Sequence, residues 1–169
     1  ELYVKGDTTF NESFATTVER EGVRRWLAAV EKRTHDTKLR DEWEVFDARR
    51  QQFLALLQRH RAALEALYAS SASDDAKRAG KREIFVQLRR DYEELKGSWG
   101  GFAGYDRFFA QPLTNAHLAS IATYNDLVPA FRALLRREGG DLPAFYAAAR
   151  RIGELPKGAR GAALGALEP

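Results

Sequence analysis

The 169-residue chain contains no cysteine, which excludes disulfides and thiolate metal sites and leaves the redox compartment open. It contains no apolar run long enough to cross a bilayer and no signal-peptide pattern. Methionine is missing as well, and a complete reading frame begins with one, so the sequence reads as a processed product or a piece of something longer. There is no Gly-x-Ser-x-Gly elbow, phosphate-binding glycine loop or EF-hand spacing. The three histidines, His35, His60 and His117, show no metal-ligand spacing among themselves, and no complete catalytic set is present. An excess of one charge is also missing: 27 Lys and Arg stand against 24 Asp and Glu, a net charge of +3. Arginine pairs such as Arg24-Arg25 and Arg89-Arg90 are interleaved with acidic residues, as on solvated helix faces, and nucleic-acid binding is not expected.

What is present is helical periodicity. The length suits one domain, or one domain with an appendage. Residues 1–5 read as a short extended piece followed by a turn at Gly6-Asp7, and so short a strand needs a partner from elsewhere. A helix is expected from about Thr9 to Glu31, where Thr9-x-x-Glu12 fits a capping box. At 100° per residue Phe10, Phe14 and Val18 form one stripe, and Glu12, Ala15, Glu19, Val23, Trp26 and Val30 form another opposite it. Both sides look built for burial.

Asp36 is the expected cap of a long helix reaching Ala69. Leu39, Trp43, Phe46, Arg50, Phe53, Leu57, His60, Leu64 and Leu67 follow the coiled-coil spacing along it. After a turn at 70–75, Ile84, Leu88, Tyr92, Leu95 and Trp99 repeat that spacing, which predicts an antiparallel helical hairpin. Four glycines between Gly97 and Gly104 then break the helix, marking a sharp turn or a close backbone approach. Short helices follow near 105–110, 114–123, 127–138, 142–152 and 157–166. The expected fold class is all-α apart from the first residues, with a ligand-helix part at 1–35, the hairpin at 36–99, and a helical part at 100–169 packing with 1–35.

His60, on the hairpin seam, reads as a buried histidine with a hydrogen-bond partner. His35 falls in an exposed turn, and His117 lies near the glycine loop. Asn11-Glu12-Ser13-Phe14-Ala15 is more distinctive. It resembles the Asn-Glu-x-Phe-Ala helix that supplies the third zinc ligand in gluzincin metallopeptidases. Leu2–Asp7, Phe10–Thr16 and Glu19–Leu27 are similar to a bacterial aminopeptidase family, as are Trp99-Gly-Gly101, Gly104-Tyr-Asp106 and Asp126–Phe131.

That resemblance implies a zinc-dependent peptidase acting on peptide substrates, with Glu12 as a metal ligand. A His-Glu-x-x-His helix would bring two imidazoles and the general base from upstream of Glu1. That helix is not in these residues, so the chain alone is expected to bind zinc weakly or not at all and to lack activity. Glu19 and Asn11 would orient the ligands, though an ion pair with an arginine serves equally for Glu19. Tyr124 and Tyr105, with Asn115 and His117 behind them, are candidate donors to the oxyanion; a packed tyrosine is the alternative for each. The resemblance also suggests a bacterial cell-envelope or periplasmic setting. Loss of a neighbouring helix would leave the Glu12 side open to self-association. A rival reading makes the chain a non-catalytic interaction module with the hairpin as its docking arm, and Glu12 only a cap.

Overall fold

The computed structural model describes residues 2–125 and 127–166, without the side chains of 121–125. The described residues are all-α, as expected, and contain no strand. The helices are α1 (Thr8–Thr34), α2 (Lys38–Ala69), α3 (Asp74–Ser98), α4 (Asp106–Phe109), α5 (Asn115–Asn125), α6 (Val128–Arg137), α7 (Leu142–Gly153) and α8 (Lys157–Gly165). No described helix is long and apolar enough to cross a membrane. The chain divides into two compact units, Glu1–Asp36 with Ala122–Pro169, and Thr37–Ile121. Residues 100–121, grouped by the sequence reading with the first helix, fall with the hairpin.

In the first unit α1 packs with α6, and α6 with α7 and α8. The expected capping box at Thr9 does not form. The cap is Asp7, whose Oδ1 accepts from the Phe10 amide at 3.2 Å, so Thr9 lies inside the helix. The chain reaches that cap through a turn closed by Asp7 N donating to the Val4 carbonyl at 3.2 Å. Gly6 supplies the positive φ of 77° that the turn requires. The core is an aromatic lattice. Phe14 stacks on Phe145 at 5.5 Å, and Phe10 meets Phe131 edge-on at 5.0 Å. Phe10, Phe131 and Phe145 are fully buried, together with Ala149 and Leu164. α1 ends at His35, which adopts the left-handed conformation at φ 56°. Asp36 is not the cap of α2. Thr37 holds that place without a side-chain cap bond, and its hydroxyl donates instead to Asp41 at 2.8 Å.

In the second unit α2 and α3 form the hairpin. α2 has 32 residues and α3 has 25, so they run about 48 and about 38 Å at 1.5 Å per residue. The shorter helix leaves the first turns of α2 unmatched. Leu39 and Phe46, expected on the seam, are 47% and 51% exposed. From Phe53 onward the seam is closed: Phe53, Leu57, His60 and Leu64 are buried, as are Leu88 and Tyr92 opposite. The glycine loop is a sharp turn, with Gly100 and Gly101 at φ 68° and 85°. It returns Tyr105 to stack on Phe53 at 3.9 Å, and Phe109 to stack on Tyr92 at 4.2 Å.

Candidate functional site

Glu12 lies 200° around α1 from both Phe10 and Phe14. Those two rings are sunk in the core, so Glu12 emerges on the opposite side, half-buried. Each near neighbour in the motif is engaged. Asn11 turns its amide onto the extended segment: Val4 N donates to Oδ1 and Nδ2 donates to the Val4 carbonyl, both at 2.8 Å. This is the partner that the short N-terminal segment lacked in the sequence. Ser13 is fully buried, and its hydroxyl accepts from the Leu127 amide at 3.3 Å, just ahead of α6. Its carbonyl accepts from the Thr17 hydroxyl at 2.8 Å. Phe14 fills the core. The Glu12 carboxylate makes no hydrogen bond or ion pair among the described residues.

The rest of the Glu12 side is more open than its pattern suggested. Val30 is buried and Val23 half-buried, but Ala15 and Glu19 are exposed, and Trp26 is 57% exposed. Glu19 lies two turns from Glu12 and has no arginine partner among the described residues; Arg24 and Arg25 bind Glu21 instead, at 2.7 and 2.6 Å. The Arg24 hydrogen bond, joined by that of Arg25, holds the Glu21 carboxyl at about 2 despite the opposing cost of burial.

The other candidates lie elsewhere. The side chain of Tyr124 is outside the described residues. Tyr105 belongs to the second unit, in an aromatic cluster with Phe53, Trp99 and Phe102, and burial pushes its hydroxyl up. His117 is also in that unit: its Nδ1 accepts from the Thr114 amide at 3.1 Å, at the entry to α5. Asn115 donates to the Tyr68 hydroxyl at 3.0 Å. His60 has the partner expected of it, with Nε2 2.8 Å from Asp91 Oδ2. Burial would raise the Asp91 carboxyl, but hydrogen bonds from Gln87 and His60 and the Arg59 charge outweigh it and hold it low. Asp106 is drawn down by Lys96 and by the Tyr92 hydroxyl, at 2.7 and 2.6 Å. Tyr92 is pushed up in turn, by burial first and then by Asp106.

No group of three His, Cys, Asp or Glu side chains among the described residues could hold a metal. The described residues therefore do not make a zinc site by themselves, and Glu12 stands among them as a half-buried carboxylate without a partner. The sequence reading missed the Asn11 clamp on Val4, the Ser13 contact with Leu127 ahead of α6 and a part-buried ion pair between Asp7 and Arg160. The Ser13 and Asp7 partners lie 114 and 153 positions away and leave no local signal. No curated protein and no solved structure matches the chain. A family model described as "Putative aminopeptidase" matches residues 1–164. The motif at the head of α1 thus falls in a match that takes in nearly the whole chain, and the chain belongs to this aminopeptidase family.

Proposed function

We propose that this chain is the helical part of a zinc-dependent aminopeptidase and that Glu12 is its carboxylate ligand. The observation that carries the reading is the mounting of Glu12. It sits on a helix locked by a buried phenylalanine one half-turn to either side, with its near neighbours engaged and its own carboxylate unengaged. A ligand needs that rigidity to keep its geometry, and an anionic oxygen is a normal zinc donor. A catalytic zinc takes three protein donors, and the described residues offer Glu12; on this reading two imidazoles come to it from residues outside these 169. Bound there, zinc would supply an activated water. The chain alone is then inactive and holds zinc weakly or not at all.

The orienting role of Glu19 and the oxyanion roles of Tyr124 and Tyr105 belong to the same proposal. So does an envelope or periplasmic setting, which rests on the family resemblance. The test is Glu12→Gln in a longer polypeptide that includes the flanking coding sequence. Glu12 is not the cap of α1, so the change removes an anionic donor and leaves the helix start intact. Peptidase activity that survives it sinks the assignment.

One observation favours a second, non-catalytic role. Leu39, Val45 and Phe46 are exposed on the part of α2 that outruns α3, and Trp26 is exposed on the Glu12 side of α1. The exposed Trp26 favours self-association through the Glu12 side. Sedimentation showing a strict monomer at high concentration would contradict it.

A further inference from the structure

The turn from Val4 to Asp7 is fastened to three helices of the first unit. Asn11 of α1 grips both backbone groups of Val4. Val4 packs against the end of α7, where a Cβ on Gly153 would stand 2.8 Å from its Cγ2; only glycine permits that approach. α8 supplies the remaining ties. Lys157 donates to the Gly6 carbonyl at 3.1 Å, and Arg160 Nη1 donates to Asp7 Oδ2 at 2.9 Å. The guanidinium is itself set in place, since its Nε donates to the Leu155 carbonyl at 2.8 Å.

Asp7 therefore works with both oxygens. One caps the Phe10 amide and the other receives Arg160, a partner 153 positions away. The two side chains are only 10% and 14% exposed, so water screens the pair little. A charge-assisted bond in that setting is stronger than one between neutral groups. What it holds is the first turn of α1, which carries Phe10 and Asn11 and leads directly into Glu12. Without Arg160 the Asp7 carboxylate that accepts from the Phe10 amide is no longer held in place, and the helix start frays. Phe14 would then anchor Glu12 from one side only.

We infer that Arg160 is a positioning residue for Glu12, setting the direction of that carboxylate from α8 through Asp7. This rests on the reading of Glu12 as the functional carboxylate, but its first consequence can be measured without any metal. The experiment compares Arg160→Gln and Arg160→Lys in the longer polypeptide, with Asp141→Asn as a control. Asp141 caps α7 through the Ala144 amide and makes no contact with the strap.

In Arg160→Gln, amide hydrogen exchange at residues 8–12 should rise by about tenfold while the α6 and α7 amides hold. kcat should fall about tenfold, as when a group that orients a ligand is lost, with KM within about twofold. Arg160→Lys keeps the charge and should recover most of both, and the Asp141→Asn control should change neither. Unchanged exchange at residues 8–12 in Arg160→Gln overturns the strap whatever Glu12 does, and so does an even rise across the whole unit. Local loosening with unchanged kcat overturns the positioning role. Full activity in Glu12→Gln would instead sink the Glu12 reading while leaving the exchange result standing.

Discussion

The two units place their polar groups differently. In the hairpin unit polar partners sit 10 to 50 positions apart: Lys96 with Asp106, Tyr92 with Asp106, His60 with Asp91, Trp99 with Gln52, Arg49 with the Trp99 carbonyl. The buried histidine and the two carboxylates nearest the seam all have partners there. In the other unit the linking bonds span 114 to 153 positions: Ser13 to Leu127, Arg25 to Gly140, Lys157 to Gly6, Arg160 to Asp7. These join the start of the chain to its last helices, and amid them Glu12 is left without a partner. The hairpin unit pairs the polar groups nearest its seam. The other fixes a helix and leaves its half-buried Glu12 carboxylate available, which is the arrangement a site needs.

That contrast can be broken or sharpened by substitution. Phe145→Ala should have the largest effect, about 3–5 kcal/mol of stability by calorimetry or denaturant, because the ring touches Phe14, Phe131 and Tyr146. It should cost activity in the longer polypeptide as well, since the same lattice seats α1. Glu12→Gln should lower peptidase activity by about a hundredfold, about 2.7 kcal/mol of barrier, while the melting temperature stays within about 1 °C. Asp91→Asn should do the reverse. Leaving Arg59 and His60 without their carboxylate should cost about 1–3 kcal/mol of stability, with kcat and KM unchanged. A loss of activity there would erase the distinction between the units.

Acid gives the smallest effect. The Asp91, Asp106 and Glu21 carboxyls titrate lower in the fold than their ordinary values of 3.8, 3.8 and 4.5. Their stabilisation is present above those values and is lost as pH falls through the folded ones, about 2 for Glu21. A melting series from neutral pH to about pH 2 should therefore decline below about pH 4.5. The exposed Glu21 pairs should account for about 0.5 kcal/mol of that, after screening by solvent. A melting temperature that rises on acidification over that range would contradict these assignments.

Much of the fold was legible because helical periodicity is local. The all-α class, the hairpin turn and the later short helices follow from apolar spacing and from Gly, Pro and Asp punctuation. Heptad spacing says which side of α2 faces a partner, but not whether the partner reaches. Leu39 and Phe46 fit the pattern and stand exposed because α3 ends too soon. The cap of α1 was misplaced by two residues because Thr9-x-x-Glu12 satisfies a local rule while Asp7 has a distant partner as well. The site was half legible. The motif exposed Glu12 and Asn11, but Asn11 acts on Val4, and the roles of Ser13, Gly153 and Arg160 depend on contacts that only the folded chain brings together.

The most direct test is the zinc content of the longer polypeptide, purified under identical conditions as the native sequence and as Glu12→Gln. The account predicts on the order of one zinc per chain in the native protein and a loss of most of it in the variant, with these 169 residues alone holding almost none. Equal, stoichiometric zinc in the native protein and in Glu12→Gln would contradict it.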